Sequence, residues 1–154
     1  MADSVPYRPV ALTLIQPWAT LIMHFGKDLE NRDWAPSPTL LRPGQKFLVH
    51  AGAKEDKSDV AWARRQVPGF EPYYREAPLP RMAILGSVRF TGVHTSAPQP
   101  PQSAFWWSGC KFGGGLSDAK AFENPIENVR GALGLWRMPE SILDRIRMEI
   151  LAHG

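Results

Sequence analysis

The sequence predicts an α+β domain, a small mixed, barrel-like β-sheet flanked by a few short helices. Three observations lead there. Several apolar, β-branched runs are separated by turn residues, which reads as strands. Short stretches with helical spacing and recognisable ends fall between them. The chain has 154 residues, 44% of them hydrophobic, which suffices for one core and is short for two. A single domain over residues 1–154 is therefore expected.

The elements follow in order. "PVALTLIQ" (9–16) reads as a buried first strand. Pro17 suits the first position of a helix, where its missing N–H is no loss. "PWATLIMHF" continues that helix, and Gly26 is a natural left-handed stop. "KDLENRDW" carries no apolar 3.6-residue period and reads as extended. "QKFLVHAG" (45–52) is a second strand, and "SDVAWARRQV" (58–67) a short helix capped by Ser58 or Asp59 and ended by Pro68-Gly69. Residues 69–80 read as loop. "RMAILGSVRFTGVH" (81–94) is a strand with Met82, Ile84, Val88 and Phe90 on one face. Residues 95–120 form a long proline- and glycine-rich excursion that includes Trp106-Trp107, and a loop of that length is functional or mobile. "GALGLWRM" (131–138) is a last strand. "PESILDRIRMEILAH" closes the chain as an amphipathic helix with Ile142, Leu143, Ile146 and Ile150 on its apolar side.

Composition narrows the function classes. No apolar run reaches the roughly 18 residues of a membrane span, because Gln16 and Pro17 interrupt the best candidate. The first residues lack a basic region followed by an apolar one, so no secretory signal is expected. A single cysteine, Cys110, excludes an intrachain disulfide and fits a reducing cytoplasm. That cysteine and four histidines show no zinc-type spacing, so neither a metal site nor another cofactor is expected. The net charge of +3 is a mild excess that suits an anionic partner without requiring one. The sequence carries no signal of oligomeric state.

The stretch "GKDLENRDW" packs opposite charges against the first predicted helix. In an extended segment residues two apart sit about 6.6 Å apart along the chain, so Asp28, Glu30 and Arg32 share one face and Leu29 and Asn31 the other. Glu30 and Arg32 can pair, and Lys27 can swing toward them from the corner. A lysine over a partly buried carboxylate can serve as phosphate ligand, general base or nucleophile. The same spacing also suits a solvated turn. Other motifs carry less. "KFGGGLSDAK" lacks the phosphate-loop pattern, and no G-x-S-x-G elbow is present. Cys110 would be a nucleophile only with a histidine beside it, and is otherwise a loop thiol. Trp106-Trp107 reads equally as a stacking platform or as an anchor for its loop. His50, at a strand end, is either a site residue or a satisfied core histidine.

"ALTLIQPWATLIMHFGKDLENRDW" resembles the opening of the ASCH domain, of the PUA-like superfamily, in its stand-alone bacterial or phage form. Gln16, Pro17, Trp18, Ala19, Gly26, Lys27, Glu30, Asn31 and Arg32 carry the resemblance. "FLVHAGAK" and "RGALGLWRMP" resemble two later motifs, so the similarity spans roughly residues 9 to 138. It implies a small barrel-like sheet with a cleft beside the first helix and the G-K-x-x-E-x-R segment. It also implies binding of RNA or other nucleic acid and, in some members, ribonuclease activity or hydrolysis of N4-acetylcytidine. In that last branch a lysine matching Lys27 acts with a threonine, where this chain has Glu30, and with a later glutamate that has no defined counterpart here.

The resulting expectation is a nucleic-acid-binding domain whose ligand is RNA, a nucleotide or a modified nucleoside, with DNA not distinguished from RNA. Lys27, Arg32, Lys54 and Arg130 would meet phosphate, Trp18 or Trp107 would stack on a base, and Gln16 and Asn31 complete the binding set. The alternative is a metal-independent hydrolase in the same cleft, with Lys27, Glu30 and His50 as its catalytic residues. A third reading makes the 95–120 excursion a protein-binding loop with Trp106 and Trp107 at its centre.

Overall fold

The computed structural model describes residues 9–98 and 104–153. Residues 99–103 of the predicted excursion and the Ile150 side chain lie outside the described residues. In chain order the elements are β1 (Val10–Gln16), α1 (Trp18–His24), β2 (Leu29–Arg32), β3 (Lys46–Glu55), α2 (Lys57–Gln66), α3 (Phe70–Glu76), β4 (Ala83–His94), β5 (Phe112–Ile126), β6 (Leu135–Arg137) and α4 (Glu140–His153). The six strands form one mixed sheet in the order β2-β5-β4-β3-β1-β6. Only β1 and β3 run parallel, and the other neighbours are antiparallel. The sheet does not close on itself: β2 and β6 are its edges.

Helix α1 explains how the sheet comes to hold a site. Its residues Ala19, Ile22 and Met23, spaced i, i+3, i+4, pack with Leu12, Val49 and Phe90 of the sheet. Leu21, with Trp18 and Phe25, faces the other way into a second cluster built from α2, α3 and Trp106. A helix apolar on two sides must be covered on two sides, so α2 and α3 lie over it. A third cluster, with Ile84, Phe122, Met138, Leu143 and Ile146, seats α4 against Ala11 and Leu48 of the sheet.

Four expectations are corrected. Pro17 is the residue before α1 rather than its first turn, and the buried Gln16 side chain caps the helix instead, its Oε1 accepting from Thr20 N–H at 3.0 Å. Asp56, not Ser58 or Asp59, caps α2, accepting from Asp59 N–H at 2.9 Å. The stretch read as loop from 69 to 80 contains α3, with Phe70, Tyr73 and Tyr74 at helical spacing and Pro72 in the first turn, where it costs no hydrogen bond. The predicted excursion ends near residue 111, because the glycine run belongs to β5.

Glycine hides that strand from any search for alternation, yet packing requires it. A Cβ on Gly113 would lie 2.8 Å from the Trp107 ring and 3.0 Å from Leu29. In β4, Ile84 faces the cluster under α4 while Val88 and Phe90 face the one under α1. The register shifts between Ile84 and Gly86, so the single-face reading of that strand fails at a bulge. Gly86 sits where β4 and β5 approach closely: its Cβ would meet the Lys120 carbonyl and lie 2.8 Å from Ala121 Cα and Met23 Sδ. Gly86→Ala is therefore expected to cost about 1–3 kcal/mol by overpacking, measured as a lower urea midpoint at unchanged slope. Stability equal to the parent chain would show that the two backbones do not meet there.

Candidate functional site

Gly26 turns the chain out of α1 with φ 73°, and Lys27 N–H returns to the Leu21 carbonyl at 3.1 Å. That closure drops the Lys27 side chain back under the helix end, where it is only 3% exposed. Its Nζ donates to the Leu29 carbonyl and to Glu30 Oε1, the latter at 3.1 Å, and lies 5.5 Å from the centre of a Trp18 ring. The other Glu30 oxygen pairs with Arg32 Nε at 3.1 Å. Arg32 in turn donates to the Thr13 carbonyl at 3.3 Å and lies over Trp34. One carboxylate thus serves two cations. A buried ammonium stripped of such a partner costs several kcal/mol, so this arrangement is a structural constraint as well as a chemical resource.

β2 pairs with the glycine stretch of β5, Glu30 opposite Gly114 and Asn31 opposite Gly113. Asn31 then fixes the following loop from both ends of its amide. Its Nδ2 donates to the Trp106 carbonyl at 2.8 Å, and its Oδ1 accepts from Ser108 N–H at 3.1 Å. Across from it stands the first turn of α2. With Asp56 already capping the helix, the Asp59 carboxylate is left to accept from Trp18 Nε1 at 3.0 Å.

These three segments enclose an open cavity of about 570 Å³. Its polar wall is Lys27, Glu30, Asn31, Asp59, Ser108 and Cys110. Its apolar wall is Trp18, Trp62, Phe105, Trp106 and Trp107. Trp62 is central: its ring lies 5.8 Å from Trp18, 5.7 Å from Phe105 and 6.1 Å from Trp106. The volume falls within the roughly 300–1,000 Å³ of small-ligand pockets. Among the described residues no group of three or more His, Cys, Asp or Glu side chains could hold a metal ion.

Of the residues singled out from sequence, Trp18, Lys27, Glu30, Asn31, Trp106, Trp107 and Cys110 meet in this cavity. Arg32 is joined to it through Glu30 but lines a smaller, apolar cavity with Trp34 and Phe90. Gln16 stays beneath, bonded to Thr20 and Pro80. Lys54 and Arg130 are exposed and line neither cavity. His50 is fully buried and also lines neither. Asp59, Trp62 and Phe105 were not singled out. The first two are one helical turn apart in "SDVAWARRQV", a spacing that puts an acid and an aromatic on one side of α2.

His50 has a complete set of partners. Its Nε2–H donates to the Val129 carbonyl at 2.6 Å, which leaves Nδ1 to accept from Thr13 Oγ1 at 3.1 Å. Thr13 Oγ1 accepts in turn from Trp136 Nε1 at 2.9 Å. Burial lowers the His50 pKa from 6.5, against a smaller upward pull from the bond to Val129. The unfolded chain then takes up its proton first, so stability is fully present above 6.5 and is lost as pH falls toward the lowered folded value. His24, also lowered by burial, acts in the same direction. The urea midpoint is expected to fall between about pH 7.5 and 5, and His50→Gln should flatten part of that fall. An unaltered pH slope in the variant would count against a neutral, buried His50.

No family model matches the sequence, and no curated protein does. Solved structures do. The chain is similar to the crystal structure of ASCH from Zymomonas mobilis, with 12% identity over 91% of this chain and 94% of that one and a TM-score of 0.54. Two single-residue mutants of the same protein match at 11% identity, with TM-scores of 0.54 and 0.53, over 91% and 92% of this chain and 94% and 98% of theirs. Six mixed strands, four helices and their likeness to these structures give this chain the ASCH fold, the fold that its Q-P-W-A and G-K-x-x-E-x-R segments resemble in sequence.

Proposed function

We propose that this chain binds single-stranded RNA by taking one base into the cavity between α1, α2 and the 104–110 loop. The observation that carries this is the aromatic wall: Trp18, Trp62, Phe105, Trp106 and Trp107 from three separate segments, gathered around one opening. Every base has a π-face, and aromatic stacking is how proteins hold unpaired bases without a duplex. The motif resemblance to a nucleic-acid-binding family points the same way. Lys27 is a part of the frame rather than a phosphate ligand, since two of its N–H groups are engaged by Leu29 and Glu30. Phosphates along the strand are left to exposed cations outside the cavity, Lys54 and Arg130 among them.

Stacking contributes roughly 1–3 kcal/mol per base, so Trp62→Ala should weaken binding of a short single-stranded oligoribonucleotide about 5- to 150-fold. Titration of the intrinsic tryptophan fluorescence or calorimetry reads this directly. Affinity unchanged in the variant would remove the base from the cavity.

A hydrolytic reading of the same cavity is favoured by one feature, the Lys27–Glu30 pair in its wall. Wild type and Lys27→Ala, each shown to be folded, would be incubated with total tRNA without added metal, and mass spectrometry would follow strand length and nucleoside content. Breakage or an altered nucleoside made only by the wild type establishes the hydrolase. Intact RNA leaves binding as the function of the cavity.

A further inference from the structure

The polar groups of the cavity differ in what they have left to offer. Lys27 Nζ donates to Leu29 and Glu30, and both Glu30 oxygens are taken up by Lys27 and Arg32. The Asn31 amide holds the loop through Trp106 and Ser108. Trp18 Nε1 is spent on Asp59 Oδ2. Ser108 Oγ and Cys110 Sγ are paired with each other at 3.1 Å. Asp59 Oδ1 is an acceptor left over: it accepts no hydrogen bond from any described residue, on a carboxylate that lines the cavity.

A ligand entering there takes water away from that oxygen. A carboxylate left without a donor is costly, and one set against a carbonyl oxygen is worse. Resting on the base-capture reading, we propose that Asp59 is the specificity-determining residue of the cavity. It selects a base that carries an exocyclic amino group and rejects uracil. Cytosine offers N4–H and adenine N6–H, each a neutral donor to a charged acceptor. Uracil carries carbonyl oxygens where those amino groups would be, and its ring N–H lies between two of them. The same carboxylate keeps phosphate out of the cavity, so recognition is of the base edge. Arg32 does not alter this balance, because its charge is used by Glu30 on the neighbouring face.

The test uses the full chain and three probes, octamers of rC, rA and rU, with affinities from tryptophan fluorescence at one salt concentration. A hydrogen bond to a charged group is expected to favour rC and rA over rU by about tenfold or more. Asp59→Asn, which replaces the carboxylate by an amide that both donates and accepts, should bring the three within about twofold, largely by improving rU. The probe comparison in the parent chain does not depend on how the variant folds. Equal affinity for rC, rA and rU, all lost in Trp62→Ala, would overturn the selectivity while leaving base capture standing. Preference for rC and rA retained in Asp59→Asn would overturn the role of Asp59. No binding of any octamer, or binding indifferent to Trp62→Ala, would overturn base capture and this proposal with it.

Discussion

The site depends on a single carboxylate shared by two cations. Glu30 holds Lys27 with one oxygen and Arg32 with the other, and Lys27 is buried under the end of α1. Taking an ammonium out of water is unfavourable by several kcal/mol unless the geometry and hydrogen bonds around it are complete. Here the Leu29 carbonyl, the Glu30 carboxylate and the Trp18 ring complete them. That requirement fixes β2 against the helix end. β2 then sets the position of Asn31, Asn31 sets the loop, and the loop supplies three of the five residues of the aromatic wall.

Much of this was legible in the chain, though unevenly. The alternation in "KDLENRDW" put Glu30 and Arg32 within reach of each other, where they pair, and Leu29 on the buried side, because β2 is a regular edge strand. Asn31, however, lines the same cavity as Glu30. Gly26 was readable as a helix stop because a positive φ is a local requirement. β5 was not readable: three consecutive glycines carry no side-chain pattern, and the side chains that Gly113 and Gly115 make room for, Leu29 and Thr91 among them, lie far away in sequence. α3 escaped because Pro72 argues against a helix wherever it is not in a first turn.

The same distinction holds for individual site residues. Lys27 and Glu30 are three apart, so their pairing is a local matter, and the sequence reading found it. Asp59 and Trp62 belong to a helix whose place over α1 follows from α1 being apolar on both sides. No spacing rule expresses that dependence. His50 illustrates the converse. A histidine at a strand end looks accessible in sequence, but Val129, Thr13 and Trp136 reach it from three distant positions and close it in.

The two hydrogen bonds of Asn31 have a kinetic side. They join residue 31 to residues 106 and 108, |i−j| of 75 and 77, and the strand pairing beneath them joins 29–32 to 112–115. Contacts of such long sequence separation carry a loop-closure cost that must be met before they contribute stability. The helices α1, α2 and α3 are each local and need no such closure to form. Bringing α1 to α2 closes a shorter loop, 41 residues for the Trp18–Asp59 bond, than the 75 residues that Asn31 spans to Trp106. The opposite wall of the cavity therefore carries the larger cost and waits for β5 to reach β2. A chain still emerging during synthesis has no cavity at all until residue 115 is free to pair. Binding competence is then a late event in the life of the molecule, gained in the step that completes the sheet edge.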